Sequence, residues 1–298
     1  MKSDETTLAV DCHLHLYQFA DLPRLLSAAV AHSEKARGPL ENPAPAIGDK
    51  TILPTLILTE PKGRDSFARM LELTTGPERQ ALPGWRLRPG GDGLSLFADR
   101  DDGAAVLIVS GQQVVTAERL EILAVACRQD YEDGRPLAET LNAIRHSAFP
   151  VLPWGVGKWL GRRGRLLDAL ASQVNPEDFA LADTVSRPFF WRESRFAAAR
   201  ARGQIVLRGS DPLPLPGQVE KAGAFGSLMR IPFDAAQPAL SLLAALRGGS
   251  IDTVPFGQPD SCRAFLSTQL ALRLSGASGS TKHFYTVNFL GGNGGENS

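Results

Sequence analysis

Two kinds of apolar pattern alternate along the chain. Short apolar runs, several of them rich in β-branched residues, lie at 8–12 (LAVDC), 52–59 (ILPTLILT), 104–110 (AAVLIVS), 149–154 (FPVLPW), 179–182 (FALA) and 204–208 (QIVLR). Runs of that length ending in turn or polar residues are buried strands. Between them, apolar residues recur at helical spacing over 22–32, 136–146, 165–173 and 193–202. The first of these opens after Asp21, a good N-cap, with Pro23 in its first turn. Strand followed by helix, repeated, predicts right-handed βαβ units and a parallel sheet. Kept over 298 residues, the rhythm predicts an α/β fold of the TIM-like (β/α)7-8 barrel type, as one domain spanning 1–298.

Three regions break the rhythm. Residues 38–50 are rich in Pro and Gly and read as a long loop. Residues 85–116 read as an inserted β-hairpin, in which LSLFA and AAVLIVS flank a turn at 99–103. Beyond residue 231 the pattern is mostly helical, at 238–247 and 262–274, and 291–298 (GGNGGENS) reads as a flexible tail.

Composition narrows the function classes. Lys plus Arg equal Asp plus Glu at 32 each, so no net field draws nucleic acid or an anionic membrane. No apolar run is long enough to span a bilayer. The three cysteines, Cys12, Cys127 and Cys262, are odd in number and widely spaced, which suits neither a disulfide framework nor a CxxC metal site. With no apolar leader at the N-terminus, the expectation is a cytoplasmic protein with free thiols. There is no GxSxG elbow and no GxGxxG after the first strand, and Cys12 reads as a packed small hydrophobe.

The chemistry gathers at predicted strand ends. His13 and His15, in DCHLH, stand two residues apart, so in a strand they aim to one side, and imidazole suits zinc, iron or manganese. Asp211 follows the strand QIVLR, in GSDP, where a carboxylate binds metal or takes a proton from water. Against this stands an ordinary Asp-Pro turn. Glu60, Glu118, Glu121 and Asp183 are further carboxylates at strand ends, of which Glu121 is the expected additional ligand. Lys158 and Arg162, in a Gly-rich segment before a helix, and Arg187, after another strand, form an anion-holding wall.

A first-strand HxH with a late Asp resembles the amidohydrolase superfamily, including the TatD-like hydrolases, and the PHP family of phosphoesterases. The resemblance rests on His13, His15 and Asp211 and on the strand rhythm. It implies a barrel with a divalent metal centre that hydrolyses phosphoesters, amides or lactones with a metal-activated water. Those families usually add two histidines from middle strands, and here only His32, His146 and His283 remain, none on a middle strand end. The expectation is a metal-dependent hydrolase acting on a small anionic substrate, phosphoester first. Asp211, Lys158 and Arg187 are its catalytic residues, and Lys158, Arg162 and Arg187 bind substrate. The alternative is an inactive barrel that binds an anion or serves as a scaffold.

Overall fold

A computed structural model describes residues 5–36, 52–75, 82–249 and 251–274. The expected loop at 38–50, the tail at 291–298 and His283 lie outside them.

The strands are β1 (Glu5–Leu14), β2 (Ile52–Pro61), β3 (Trp85–Pro89), β4 (Ser95–Arg100), β5 (Ala105–Val115), β6 (Glu121–Val125), β7 (Phe149–Pro153), β8 (Ala180–Thr184), β9 (Val206–Gly209), β10 (Gly226–Pro232) and β11 (Thr253–Phe256). The helices are α1 (Leu22–Ala36), α2 (Ser66–Thr75), α3 (Leu137–Arg145), α4 (Gly161–Gln173), α5 (Ser194–Ala201), α6 (Pro238–Arg247) and α7 (Cys262–Leu274). The strands form one sheet in the order β11-β10-β1-β2-β5-β6-β7-β8-β9, with β3 and β4 running off β5.

This sheet curls into a nearly closed barrel, but not the uniformly parallel one expected. β1, β2 and β5 are parallel, as are β7, β8 and β9. β6 is antiparallel to both β5 and β7, and β10 is antiparallel to β1. For the β5–β6 pair the cause is chain length. A parallel crossover needs a dozen or more residues, whereas the short link from β5 to β6 permits only a hairpin. Within the expected hairpin at 85–116, β3 and β4 are outlying strands, while β5 is part of the barrel wall beside β2. The β3–β4 turn reaches the barrel floor. Asp92 accepts the Ala239 N–H at 2.7 Å at the start of α6, and α6 plugs that end of the barrel with Ala239, Leu242, Leu243 and Leu246.

Side-chain alternation sorts the barrel wall. Leu8 and Val10, Leu107 and Val109, Leu123 and Val125, and Phe149 and Val151 fill the interior. Ile108 faces α1 and α2, and Ile122 faces α3 and α4. Each fully buried Leu or Phe contributes about 1.5–3 kcal/mol over exposure. Continued two residues further, the interior row turns polar, with Gln113 beyond Gly111 on β5 and Glu121 ahead of Leu123 on β6.

β1 carries an irregularity that matters for function. Its pairing with β2 shifts between Asp11 and Leu14, and such a bulge re-aims the side chains that follow. Cys12 lies in the interior with Leu8 and Val10, while Leu14 and Leu16 pack outside against α1. His13 and His15 are thereby turned inward, although the simple alternation from Leu8 would have sent them out.

β9 meets β1 without a ladder, and Asp11 stitches this seam. Fully buried, it accepts N–H bonds from His13 (3.3 Å), Ser210 (2.8 Å) and Gly223 (2.9 Å), and the Ser210 hydroxyl as well. Gly209 has no room for a side chain, because a Cβ there would lie 2.5 Å from His13 Cβ and 2.7 Å from His13 N. Gly209→Ala therefore destabilises the protein by about 1–3 kcal/mol, read as a lower denaturant midpoint. An unchanged midpoint would show that the seam yields freely.

Candidate metal centre

The polar end of the barrel interior gathers residues far apart in sequence. His13 Nε2 lies 3.1 Å from His15 Nε2. Asp211 Oδ1 stands 3.7 Å from the first and 3.5 Å from the second. Four tetrahedral ligands about 2.0–2.1 Å from a zinc ion stand roughly 3.3 Å from one another, and these three separations bracket that value. Among the described residues this is the one group of three or more His, Cys, Asp or Glu side chains close enough to hold one ion.

The polar atoms are short of partners. Asp211 Oδ1, which faces both Nε2 atoms, is buried without a hydrogen bond, a state that costs free energy unless something else satisfies it; His13 Nδ1 and His15 Nδ1 are also unpartnered, on the ring nitrogens that an ion held by Nε2 would leave free. Burial pushes both imidazoles down to about 4 and the Asp211 carboxyl up to about 6. At neutral pH the pocket thus holds two neutral imidazoles and one carboxylate, the states that bind a cation. These residues fit a divalent metal.

Asp211 is held in place by its backbone. Its φ is +43°, uncommon for a residue with a side chain, and its N–H donates to the His13 carbonyl at 2.8 Å. That bond ties one candidate ligand to the strand of the other two. Gln113 Oε1 lies 3.0 Å from His13 Nε2 and accepts from it only when that nitrogen carries the proton, so this bond and ligation of an ion through Nε2 are alternatives.

Of the four carboxylates expected at strand ends, Glu121 is the one whose charge acts on both imidazoles. It is buried and bonded to Lys158. Burial raises its carboxyl, but the Lys158 ammonium outweighs this and leaves it below its ordinary value. Glu60 caps α2 through the Ser66 and Phe67 N–H groups, at 2.6 and 3.3 Å. Glu118 accepts the Leu137 N–H at 3.0 Å, at the start of α3.

Asp183 grips Arg187 through two bonds of 2.6 Å, and Arg187 also donates to the Trp191 carbonyl. Its guanidinium is committed. Arg162 is exposed on the first turn of α4. Neither arginine has a hydrogen bond or ion pair with His13, His15, Glu121 or Asp211. Lys158 is therefore the only member of the expected cationic wall that the structure brings to the centre.

Sequence reading missed two contributors. Gln113 was legible from the period-two row Val109, Gly111, Gln113. Lys221, which draws Asp211 downward while bonded to Asp260 at 3.0 Å, sits in an irregular segment with no such signal. His32 bonds the Ala222 carbonyl at 3.0 Å and His146 ends α3, so neither reaches the centre. The thiol of Cys12 is pushed well up by burial and is a packing group.

No helix of the described residues is long and apolar enough to cross a membrane. No protein-family model and no curated protein matches the chain. Among solved structures, a two-domain protein containing a predicted PHP-like metal-dependent phosphoesterase from Bacteroides vulgatus ATCC 8482 aligns with a TM-score of 0.40 and 13% identity, over 88% of this chain and 70% of that one. PsfC from Pseudomonas syringae PB-5123 aligns with a TM-score of 0.55 and 17% identity, over 91% of this chain and 99% of that one. The likeness to PsfC runs through nearly all of both chains and establishes a shared fold.

Proposed function

We propose that the protein is a metal-dependent hydrolase of small anionic substrates, phosphoesters before amides or lactones. The observation that carries this reading is the convergence of His13 Nε2, His15 Nε2 and Asp211 Oδ1 at 3.1–3.7 Å, with the carboxylate oxygen buried and unpartnered. His13, His15 and Asp211 would hold a zinc, manganese or iron ion, with Glu121 beside them. Such an ion supplies Lewis acidity and brings the pKa of water near 7.

The chain's own groups divide the remaining work. Burial keeps both imidazoles unprotonated, so they are ligands rather than acids at neutral pH. Glu121, kept ionised by Lys158, takes up the proton that an attacking water gives up. Once Glu121 has taken up that proton, the charge of Lys158 is no longer matched and faces the anionic group of the substrate. The hydrophobic barrel below and the Asp11 seam hold these groups rigidly, which favours a defined geometry at the reacting atoms.

Elemental analysis of protein purified without added metal tests the reading, alongside His13→Ala/His15→Ala. About one equivalent of zinc, manganese or iron in the parent, below about a tenth in the variant, and turnover of a phosphomonoester or diester by the parent alone are the expected results. No metal in either protein, and none taken up on reconstitution, would overturn the hydrolase and leave an anion-binding barrel.

A further inference from the structure

A cavity of about 250 Å³ opens beside the metal centre, and His15 is part of its wall. The rest of the lining comes mainly from Tyr17, Val219 and residues 212–216, whose sequence is Pro-Leu-Pro-Leu-Pro. The chain that leaves the candidate ligand Asp211 thus becomes the cavity wall in the next residue.

The lining is mostly apolar. No Lys or Arg lines the cavity, and its one carboxylate, Asp21, is already paired with Arg24 at 3.0 Å. An anionic group finds no counter-charge there, whereas Lys158 stands on the Glu121 side of the centre. The two sides of the centre are therefore chemically unlike, one carrying the Lys158–Glu121 ion pair and one apolar. Size narrows the occupant further. An apolar cavity of about 150 Å³ holds benzene, while pockets for drug-sized ligands run to about 300–1,000 Å³. The space suits one ring or a short alkyl group. Alternate prolines fix φ along the wall, so the subsite is formed before the ligand arrives, which lowers the cost of binding.

We propose that this cavity is a subsite for a small neutral apolar group, and that the substrate is an anionic ester of an aryl or short alkyl alcohol, its apolar part against residues 212–216 and Tyr17. The proposal rests on reading His13, His15 and Asp211 as a metal centre.

Calorimetric titration of the metal-loaded protein with phenylphosphonate and methylphosphonate, which share the anionic group and resist hydrolysis, tests it. Phenylphosphonate binds at least tenfold more tightly to the parent. Leu215→Asp and, independently, Val219→Asp each reduce that ratio below threefold while metal content and thermal midpoint stay as in the parent. Equal affinities in a parent that retains its metal overturn the subsite and leave the metal centre standing. A parent that takes up no metal yet keeps the preference upholds the apolar subsite and overturns the hydrolase instead. Binding of neither phosphonate to metal-loaded protein overturns the subsite.

Discussion

Asp211→Asn lowers metal affinity at least about a hundredfold and makes the metal-free protein more stable at pH 8, by about 1–3 kcal/mol. Both effects come from one oxygen. Asp211 Oδ1 faces two imidazole nitrogens and has no hydrogen bond, so it serves a cation well and burdens the protein without one. Burial is the main reason its carboxyl is raised from 3.8 to about 6. A folded-state pKa above the unfolded one means that the folded protein binds this proton more tightly. Above pH 6 the folded state must hold a buried charge, at a cost of up to about 3 kcal/mol for a shift of this size. As pH falls through 6 toward 3.8, that cost disappears. The advantage of Asn is accordingly full at pH 8, falls to about half at pH 5 and is lost only below pH 3.8, where the carboxyl is protonated in the unfolded chain as well. Urea unfolding of both metal-free proteins at the two pH values measures it. An equal gain at both would assign the effect to the +43° backbone at this position rather than to charge. Unchanged metal affinity would remove Asp211 from the ligand set.

The candidate ligands were legible because the pattern that exposes them is local. An HxH at the end of an apolar run and an Asp after a later one need no knowledge of topology, and β1 and β9 do bring them together. The inward direction of His13 and His15 was not legible. It depends on the bulge after Asp11, and Cys12 and Leu14 are both apolar, so nothing in the sequence marks which of them faces the core. Among the carboxylates, position beside a strand did not separate Glu121, whose charge acts on both imidazoles, from the helix caps Glu60 and Glu118. Parity did, since Glu121 shares the interior row of Leu123 and Val125 once β6 is known to be a strand. That strand was missed because it is only five residues long and its first residue, Glu121, closes the charged stretch TAERLE at 116–121. β10 and β11 were missed for similar reasons, the first for its Gly, Arg and Pro and the second for Pro255 within four residues. Missing β6 and β10 concealed the antiparallel half of the barrel. The helices of the second half, by contrast, lie within a few residues of their expected bounds, because α3, α5, α6 and α7 carry the 3.6-residue spacing throughout. The pairing of Arg187 was not legible, because the sequence does not show that Asp183, four residues earlier, holds it.

Lys158→Met destabilises the metal-free protein by about 3–5 kcal/mol, the usual penalty for stranding a buried charge. The side chains of Glu121 and Lys158 are only 9% and 19% exposed, and the ammonium is what offsets the burial of the carboxylate. With Met in its place, Glu121 stays buried beside two neutral imidazoles and its carboxyl rises above the ordinary value. A raised folded-state pKa makes the deficit largest at high pH and smaller as pH falls through that raised value. Glu121→Leu in the Lys158→Met background removes the stranded charge and returns stability to within about 1 kcal/mol of the parent. Metal provides a second rescue, and it separates a metal centre from an ordinary buried ion pair. A free ion at a thousand times its dissociation constant stabilises by about 4 kcal/mol, and in Lys158→Met the freed carboxylate adds to that affinity. Zinc or manganese must therefore raise the unfolding midpoint of Lys158→Met more than that of the parent, and raise neither in the His13→Ala/His15→Ala background. Equal shifts in Lys158→Met and the parent would place Glu121 outside the ion's reach and leave His13, His15 and Asp211 as the whole of the ligand set.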